Sequence, residues 1–199
     1  MAGAVKGGLL VGLAVVALAL LPAPTRATGV LRHGVQLPAE SFDFVTWDPV
    51  LKRTPNRGWR RWGTVKLVDT AELVLRAYRD AHPDAPRVLV GDLSRRHGGW
   101  FGARYGGLGH ASHQTGLDVD VYYPRKDGLE RAALRPDQVD VVAAQELVDR
   151  FIRAGATRIF VGPDLPLRGP RRIVTQLVYH DDHLHVRLST RRVNEPVAG

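Results

Sequence analysis

The sequence contains 199 residues, of which 44% are hydrophobic, so it has the size and apolar content of one globular domain. It contains no cysteine, which excludes disulfide bonds, a thiol nucleophile and thiolate metal ligands. The net charge is +8, but the basic residues are scattered and not interleaved with aromatic residues, so we expect no nucleic-acid partner. Outside a cell, such a charge attracts the protein to anionic polymers, including those of the bacterial wall.

The N-terminal region has the pattern of an export signal. Residues 7–21 are almost entirely apolar and are followed by two prolines and several small residues. This run is shorter than the roughly 20 residues that a membrane-spanning helix needs. We predict a signal peptide over residues 1–27, with an uncleaved anchor as the alternative, and a mature domain over residues 28–199. Both alternatives place the domain outside the cytoplasmic membrane, periplasmic or secreted, and we expect no stable membrane insertion once the signal is removed.

The mature sequence alternates between predicted strands and two predicted helices. Thr64 is a candidate N-cap, and Pro83 ends the helix that follows it. The buried stripe of this first helix is predicted at Leu67, Val68, Ala71, Val74, Leu75 and Tyr78. The second helix is predicted over Pro136–Ala154, closed by Gly155, with its buried side at Val139, Val142, Ala143, Leu147, Phe151 and Ile152. The remaining predictions are short strands and loops over 28–62, strands at Arg87–Asp92, Arg158–Val161 and Leu177–Leu188, a glycine-rich loop at Leu93–Leu108, and a connector at Pro163–Pro170.

Two short segments, Gly109–Tyr123 and Tyr179–Leu188, contain five of the eight histidines and four aspartates. Each segment includes an alternating apolar pattern, and the two clusters are about 65 to 70 residues apart. Imidazole and carboxylate are the ligands that zinc takes when no thiolate is present. The two segments therefore predict two walls of one metal site.

The first segment alternates strictly from Leu117 to Tyr122. As a strand, it places Asp118, Asp120 and Tyr122 on the face opposite the apolar residues. His113 lies seven positions before Asp120, an offset that would put the two on opposite faces of a continuous strand. Gly116 permits a turn that returns His113 to the aspartate face.

The second segment alternates in the same way, so His183, His185 and Arg187 share one face of a strand. The two histidines are then about 6.6 Å apart along the strand. One of them can bind a metal while the other lies beside the metal and transfers protons. Three protein ligands and one water form the catalytic arrangement of zinc, whereas a structural site needs a fourth protein ligand, for which His110, Asp118 and His180 are the candidates.

The motifs SHQTGLDVDVY and HDDHLHVRL resemble the paired signatures of the penicillin-insensitive murein endopeptidase (MepA) family of LAS-type zinc metallopeptidases. The resemblance extends more weakly to Trp62–Asp69 and Val90–Gly99. It implies an α+β fold with a small central antiparallel sheet, flanking helices and long loops. It also implies one Zn²⁺ per chain and a peptidoglycan substrate.

By this resemblance His113, Asp120 and His185 are the zinc ligands, and His183 is the general base or the group that stabilises the oxyanion. His110 and His180 flank the site, and His180 shares the catalytic assignment with His183. Asp182 is either the base or a residue that orients a ligand histidine. Asp118 and Tyr122 are candidates for supporting or substrate contacts, as are Trp100 and Arg104 in a loop that departs from the family pattern.

The expected function is therefore an exported zinc endopeptidase that cleaves peptide cross-links of peptidoglycan at D,D bonds, with L,D bonds as a second specificity. Its alternatives are a D-Ala carboxypeptidase of the same superfamily and a catalytically inactive module that binds the cell wall. The sequence indicates neither the exact bond nor the oligomeric state.

Overall fold

The computed structural model describes residues 29–102 and 112–189. These residues contain two helices and eight strands, with short 3₁₀ turns between them. The elements are β1 (Val35–Gln36), β2 (Phe44–Thr46), β3 (Trp62–Gly63), α1 (Val65–Ala81), β4 (Val88–Val90), β5 (Asp118–Tyr122), α2 (Val141–Arg153), β6 (Ala156–Val161), β7 (Val174–Gln176) and β8 (His183–Leu188). The expected α+β composition is confirmed. The predicted signal peptide lies outside the described residues.

Six strands form one sheet in the order β2-β4-β5-β8-β6-β7, and β1 pairs with β3 separately. The four central strands, β4, β5, β8 and β6, pair antiparallel with one another, as predicted. The two edge pairs, β2 with β4 and β6 with β7, are parallel. The expected antiparallel arrangement therefore holds only for the central strands. A parallel pair needs a long crossover, which β3 and α1 supply on one side and residues 162–173 supply on the other.

The first helix follows its predicted boundaries. The Thr64 side chain accepts a hydrogen bond from the Leu67 amide at 3.2 Å, which caps the first turn. The helix ends at Ala81, before Pro83. All six apolar positions of the predicted stripe are buried. This stripe anchors α1 on the sheet, with about 1.5–3 kcal/mol of burial free energy for each large apolar side chain.

The second helix begins later than predicted. Pro136–Gln138 is a separate 3₁₀ turn, and α2 starts after Asp140, whose carboxylate accepts from the amides of Val142 and Ala143. This start rotates the first turn outward, so Val142 is 81% exposed and its predicted burial is wrong. Ala143 and Ile152 are only partly buried. The helix ends before Gly155, whose φ of +89° allows the chain to reverse, as predicted.

The predicted strand over Leu177–Leu188 is too long. Only its second half is a strand, because residues 177–182 form a loop in which Val178 is 58% and Tyr179 is 89% exposed. The strand β7 lies before this loop and was not predicted. The shorter strands at Arg87–Asp92 and Arg158–Val161 are confirmed as β4 and β6 with small changes of boundary.

The central sheet has two chemically different faces. Both helices pack on one face, here called the helix face, against Val119, Val121, Ile159, Leu184 and Val186. The alternate residues of the same strands lie on the opposite face, here called the site face. Neither described helix is both long and apolar enough to cross a bilayer.

Candidate active site

Three predicted ligands meet at the centre of the site face. The Nε2 atom of His113 lies 3.2 Å from Oδ1 of Asp120 and 3.2 Å from Nδ1 of His185, and the last two atoms are 3.1 Å apart. All three side chains are buried. These residues, here called the metal-binding triad, form the one group of three or more candidate ligands within the described ranges.

The triad depends on a turn between His113 and β5. Residues His113–Thr115 form a 3₁₀ turn, and Gly116 follows with a φ of +69°, which favours glycine. A Cβ atom on Gly116 would lie 2.8 Å from the Leu31 side chain. The turn therefore brings His113 over the aspartate face as predicted, and Gly116 is needed for both its φ and its lack of a side chain.

Hydrogen bonds to the outer ring nitrogens orient both imidazoles. Nδ1 of His113 donates to the Leu93 carbonyl at 2.6 Å, because a carbonyl oxygen can only accept. Nε2 of His185 lies 3.0 Å from Oδ1 of Asp118 and 3.1 Å from the Ser112 hydroxyl. Each ring thus has one nitrogen held by the protein and directs the other at the centre of the triad, as is usual for metal-binding histidines.

The dimensions of the triad fit zinc. Bonds of about 2.0–2.1 Å to nitrogen and oxygen in a tetrahedron require ligand atoms about 3.3 Å apart. The observed separations of 3.1–3.2 Å match this value. Of the candidate fourth ligands, Asp118 is turned toward His185 and Arg187, and Nδ1 of His180 donates to the Val178 carbonyl. His110 lies outside the described residues.

The charges of the triad favour a cation. Burial alone would raise the pKa of Asp120, but the adjacent imidazoles of His113 and His183 outweigh burial and hold it well below its usual value. Burial would lower the pKa of His185, but hydrogen bonds to Asp118 and Asp120 outweigh it and raise the pKa to about 9. The two carboxylates thus favour a positive charge, which a ring proton or a metal ion can supply.

His183 stands beside the triad and is held by a different carboxylate. Its Nδ1 atom lies 2.6 Å from Oδ1 of Asp182, and its Nε2 atom is 3.7 Å from Oδ1 of Asp120. The carboxylates of Asp120 and Asp182 overcome the opposing effect of burial and raise the pKa of His183. Asp182 therefore orients a histidine outside the triad, whereas the sequence suggested that it orients a ligand histidine.

His180 completes a cluster of rings. Its centroid lies 4.9 Å from that of His183 and 5.7 Å from that of Phe160. Burial, together with the charge of His183, lowers the pKa of His180, so this imidazole is neutral at pH 7. A neutral ring with Nδ1 bound to a carbonyl keeps its Nε2 available as a proton acceptor.

The other predicted residues surround these groups. Asp118 is fully buried between His185 and Arg187, with both carboxylate oxygens 3.2 Å from Nη1 of Arg187. Tyr122 is also buried, and its ring lies 5.7 Å from that of His183. Burial, with added repulsion from nearby carboxylates, raises its pKa well above the usual value, so the phenol stays protonated. Trp100 is 48% exposed, and Arg104 lies outside the described residues.

Several contributing groups were not predicted. Ser112 lies within hydrogen-bonding distance of His185, the Leu93 carbonyl accepts from His113, and Phe160 places its ring 5.5 Å from that of His185. Alternation within β6 could have placed Phe160 on the opposite side from Ile159, but the sequence does not indicate which strand lies beside β8. A carbonyl contact leaves no signal in the side-chain pattern.

A buried ion pair supports the wall behind the triad. Arg60 and Asp92 are both fully buried, with Nε of Arg60 2.6 Å from Oδ1 of Asp92. The guanidinium also lies 5.3 Å from the ring centre of Phe101, which in turn contacts the edge of His113. The backbone carbonyl of Asp92 accepts from the Asp120 amide at 3.0 Å. The Arg60–Asp92 ion pair therefore connects the segment that follows β4 to His113, through Phe101, and to Asp120, through the backbone.

Comparison with known proteins agrees with the motifs. A family model described as penicillin-insensitive murein endopeptidase matches residues 24–161. The penicillin-insensitive murein endopeptidase of Yersinia enterocolitica is 35% identical over 127 residues, which cover 51% of this chain and 44% of the relative. That of Pectobacterium atrosepticum is 36% identical over 127 residues, covering 51% and 43%. The Salmonella heidelberg protein of that name is 29% identical over 198 residues, covering 84% and 68%.

The chain spans less than half the length of the Yersinia enterocolitica and Pectobacterium atrosepticum relatives. The family model nevertheless covers more than half of this chain. It includes the His113 and Asp120 segment and ends before the segment that contains His185. The chain therefore belongs to the penicillin-insensitive murein endopeptidase family.

Proposed function

We propose that this protein is an exported zinc metallopeptidase that hydrolyses peptide cross-links of peptidoglycan. The observation that carries the proposal is the metal-binding triad with His183 directly beside it on the site face. Family membership supports the reaction class and the substrate. We infer that the protein acts in the periplasm or at the cell wall, where peptidoglycan lies.

His113, Asp120 and His185 would hold one zinc ion, because their separations and outer hydrogen bonds suit tetrahedral coordination. When bound, zinc supplies a Lewis acid and lowers the pKa of its water toward 7. The remaining steps belong to side chains of this protein.

His183 is the group that we infer takes the proton from the attacking water. Its Nε2 atom faces the triad, while Nδ1 donates to Asp182 at 2.6 Å. Asp182 fixes the orientation of the ring and stabilises the imidazolium that forms when the proton arrives. The same proton can then pass to the leaving amine, which must accept one when the peptide bond breaks.

His180 is placed to assist on the same side. It contacts the rings of His183 and Phe160, and its lowered pKa keeps it neutral. We infer that its Nε2 atom accepts a hydrogen bond from an N–H group of the substrate, so that His180 positions the peptide and is not the primary base. This division leaves one histidine for proton transfer and one for positioning.

The test is an incubation of purified protein with cross-linked muropeptide dimers, with and without chelator, followed by mass analysis. We expect dimers to become monomers only when metal is present. Release of D-Ala with intact dimers would instead identify a carboxypeptidase. If zinc binds and neither product forms, the wall-binding module becomes the correct description.

A further inference from the structure

Two arginines face each other on the site face, next to the metal-binding triad. Arg187 of β8 is paired in register with Arg158 of β6, and His185 is paired with Phe160. Arg158 lies 6.0 Å from the centre of the Phe160 ring, and Phe160 contacts His185. The two guanidinium groups therefore belong to the same surface as the triad.

This pairing places like charges directly opposite each other, an arrangement that destabilises a sheet unless an anion compensates it. Asp118 compensates only part of it, because its carboxylate binds Arg187 and is shared with His185. In the described ranges Arg158 forms no ion pair. Its side chain is exposed, and the Arg187 side chain is 36% exposed. The two arginines thus retain donors that can reach a ligand.

A third arginine adds positive charge at the same end of the sheet. The parallel strands β6 and β7 pair Ile159 with Val174, so the exposed Arg172 precedes β7 at the end where Arg158 lies. The opposite end of the site face carries Asp182. A substrate that crosses the triad therefore meets an acidic end and a basic end, which defines a direction for a charged peptide.

We propose that Arg158 and Arg187 bind a free carboxylate of the stem peptide and thereby select substrates that carry one near the cleaved bond. Guanidinium groups are suited to carboxylates because they offer paired donors in one plane. This inference rests on the proposed function and adds a specificity determinant to it. The ligand class is a peptide carboxylate on a cross-linked stem peptide.

The geometry limits which carboxylate is bound. Arg187 is two residues from His185 along β8, about 6.6 Å, and Arg158 is one strand further, about 4.8 Å to the side. An extended peptide advances about 3.3–3.6 Å per residue. The carboxylate therefore belongs to a residue within about two positions of the scissile bond. Phe160, which lies between Arg158 and His185, would contact the peptide on its way from the triad to the arginines.

The experiment compares kcat/KM of the full protein on two cross-linked peptides that differ only in this carboxylate, free in one and amidated in the other. We expect the free acid to be preferred roughly three- to tenfold, the size of a partly exposed charge-assisted contact. Arg158→Gln should bring this ratio close to one, whereas Arg158→Lys should keep part of it. Within the described residues Asp118, which holds His185, forms its ion pair with Arg187 and not with Arg158, so we expect Arg158→Gln to leave His185 in place.

Arg153→Gln is the matched control, because Arg153 is an exposed arginine of α2 and α2 packs on the helix face. It removes the same charge and should leave the preference unchanged. Equal cleavage of both peptides by the unmodified protein would overturn this inference and leave the proposed function standing. An equal loss in Arg158→Gln and Arg153→Gln on both peptides would also overturn it, because general attraction to the wall would then explain the effect. If the unmodified protein cuts neither peptide, the proposed function fails and this inference with it.

Discussion

Asp120 of β5 and His185 of β8 face each other in register, and their Oδ1 and Nδ1 atoms lie 3.1 Å apart. The nearest pairs of this ladder on the same face are Asp118 with Arg187 and Tyr122 with His183. A shift of one residue would exchange these side chains for the apolar residues of the helix face. Strand register alone therefore assembles two of the three triad residues and the histidine beside them.

The first prediction separates metal binding from proton transfer. His183→Ala should retain zinc and lose about 10²- to 10⁴-fold in kcat, because the residue contacts Asp182 and faces the triad without belonging to it. Asp120→Asn should lose zinc together with activity. Zinc content by mass spectrometry and turnover of a muropeptide dimer would be measured on each protein. His82→Ala on the helix side is the control, and turnover retained by His183→Ala would exclude His183 as the base.

The second prediction concerns Asp118, whose Oδ1 atom lies 3.0 Å from Nε2 of His185. Asp118→Asn should weaken zinc affinity about 10- to 100-fold, because an amide supports the ligand imidazole less well than a carboxylate does. Competition with a chromophoric chelator measures this affinity. The neighbouring Arg187→Gln should have a smaller effect. An unchanged affinity in Asp118→Asn would show that Ser112 suffices to hold the Nε2 hydrogen.

The third prediction is the pH dependence of metal binding. The pKa of His185 is about 9 in the metal-free protein, and a metal can bind its Nδ1 atom only after a proton leaves. Apparent zinc affinity should therefore fall about tenfold for each pH unit below 9. The raised pKa also means that this residue stabilises the metal-free fold below its unfolded pKa of about 6.5, and that the contribution is lost as pH rises through about 9. Calorimetric titrations between pH 6 and 9 would measure the affinity, and a flat profile would contradict the assignment.

The sequence predicts those parts of the site that depend on local pattern. Strict alternation places Asp118 and Asp120 opposite the core, and Gly116 signals the turn that returns His113 to them. The same rule places His183 and His185 together. These predictions hold because side-chain direction in a strand follows from the backbone alone.

The rest depends on contacts between distant residues. Nothing local indicates that β6 lies beside β8, so the positions of Phe160 and Arg158 next to the triad could not be predicted. Leu177, Val178 and Tyr179 have strand-like residue types, yet the chain leaves the sheet after the Leu177 amide bonds to the Val161 carbonyl of β6, and these residues form a loop. A helical pattern that begins at Pro136 places Val142 in the core, whereas the Asp140 cap starts the helix later.

The last prediction tests the turn before β5. Gly116 and Gly128 have almost the same φ, +69° and +70°. A Cβ atom on Gly128 would meet nothing within 4 Å, whereas one on Gly116 would lie 2.8 Å from the Leu31 side chain. Both alanine variants carry the cost of a left-handed φ, about 1 kcal/mol, and Gly116→Ala adds a clash that moves His113. We expect Gly116→Ala to lower Tm by more than Gly128→Ala and also to weaken zinc binding, which Gly128→Ala leaves unchanged. Thermal unfolding and zinc titration of the two variants measure both effects, and equal behaviour would show that the turn does not position the ligand.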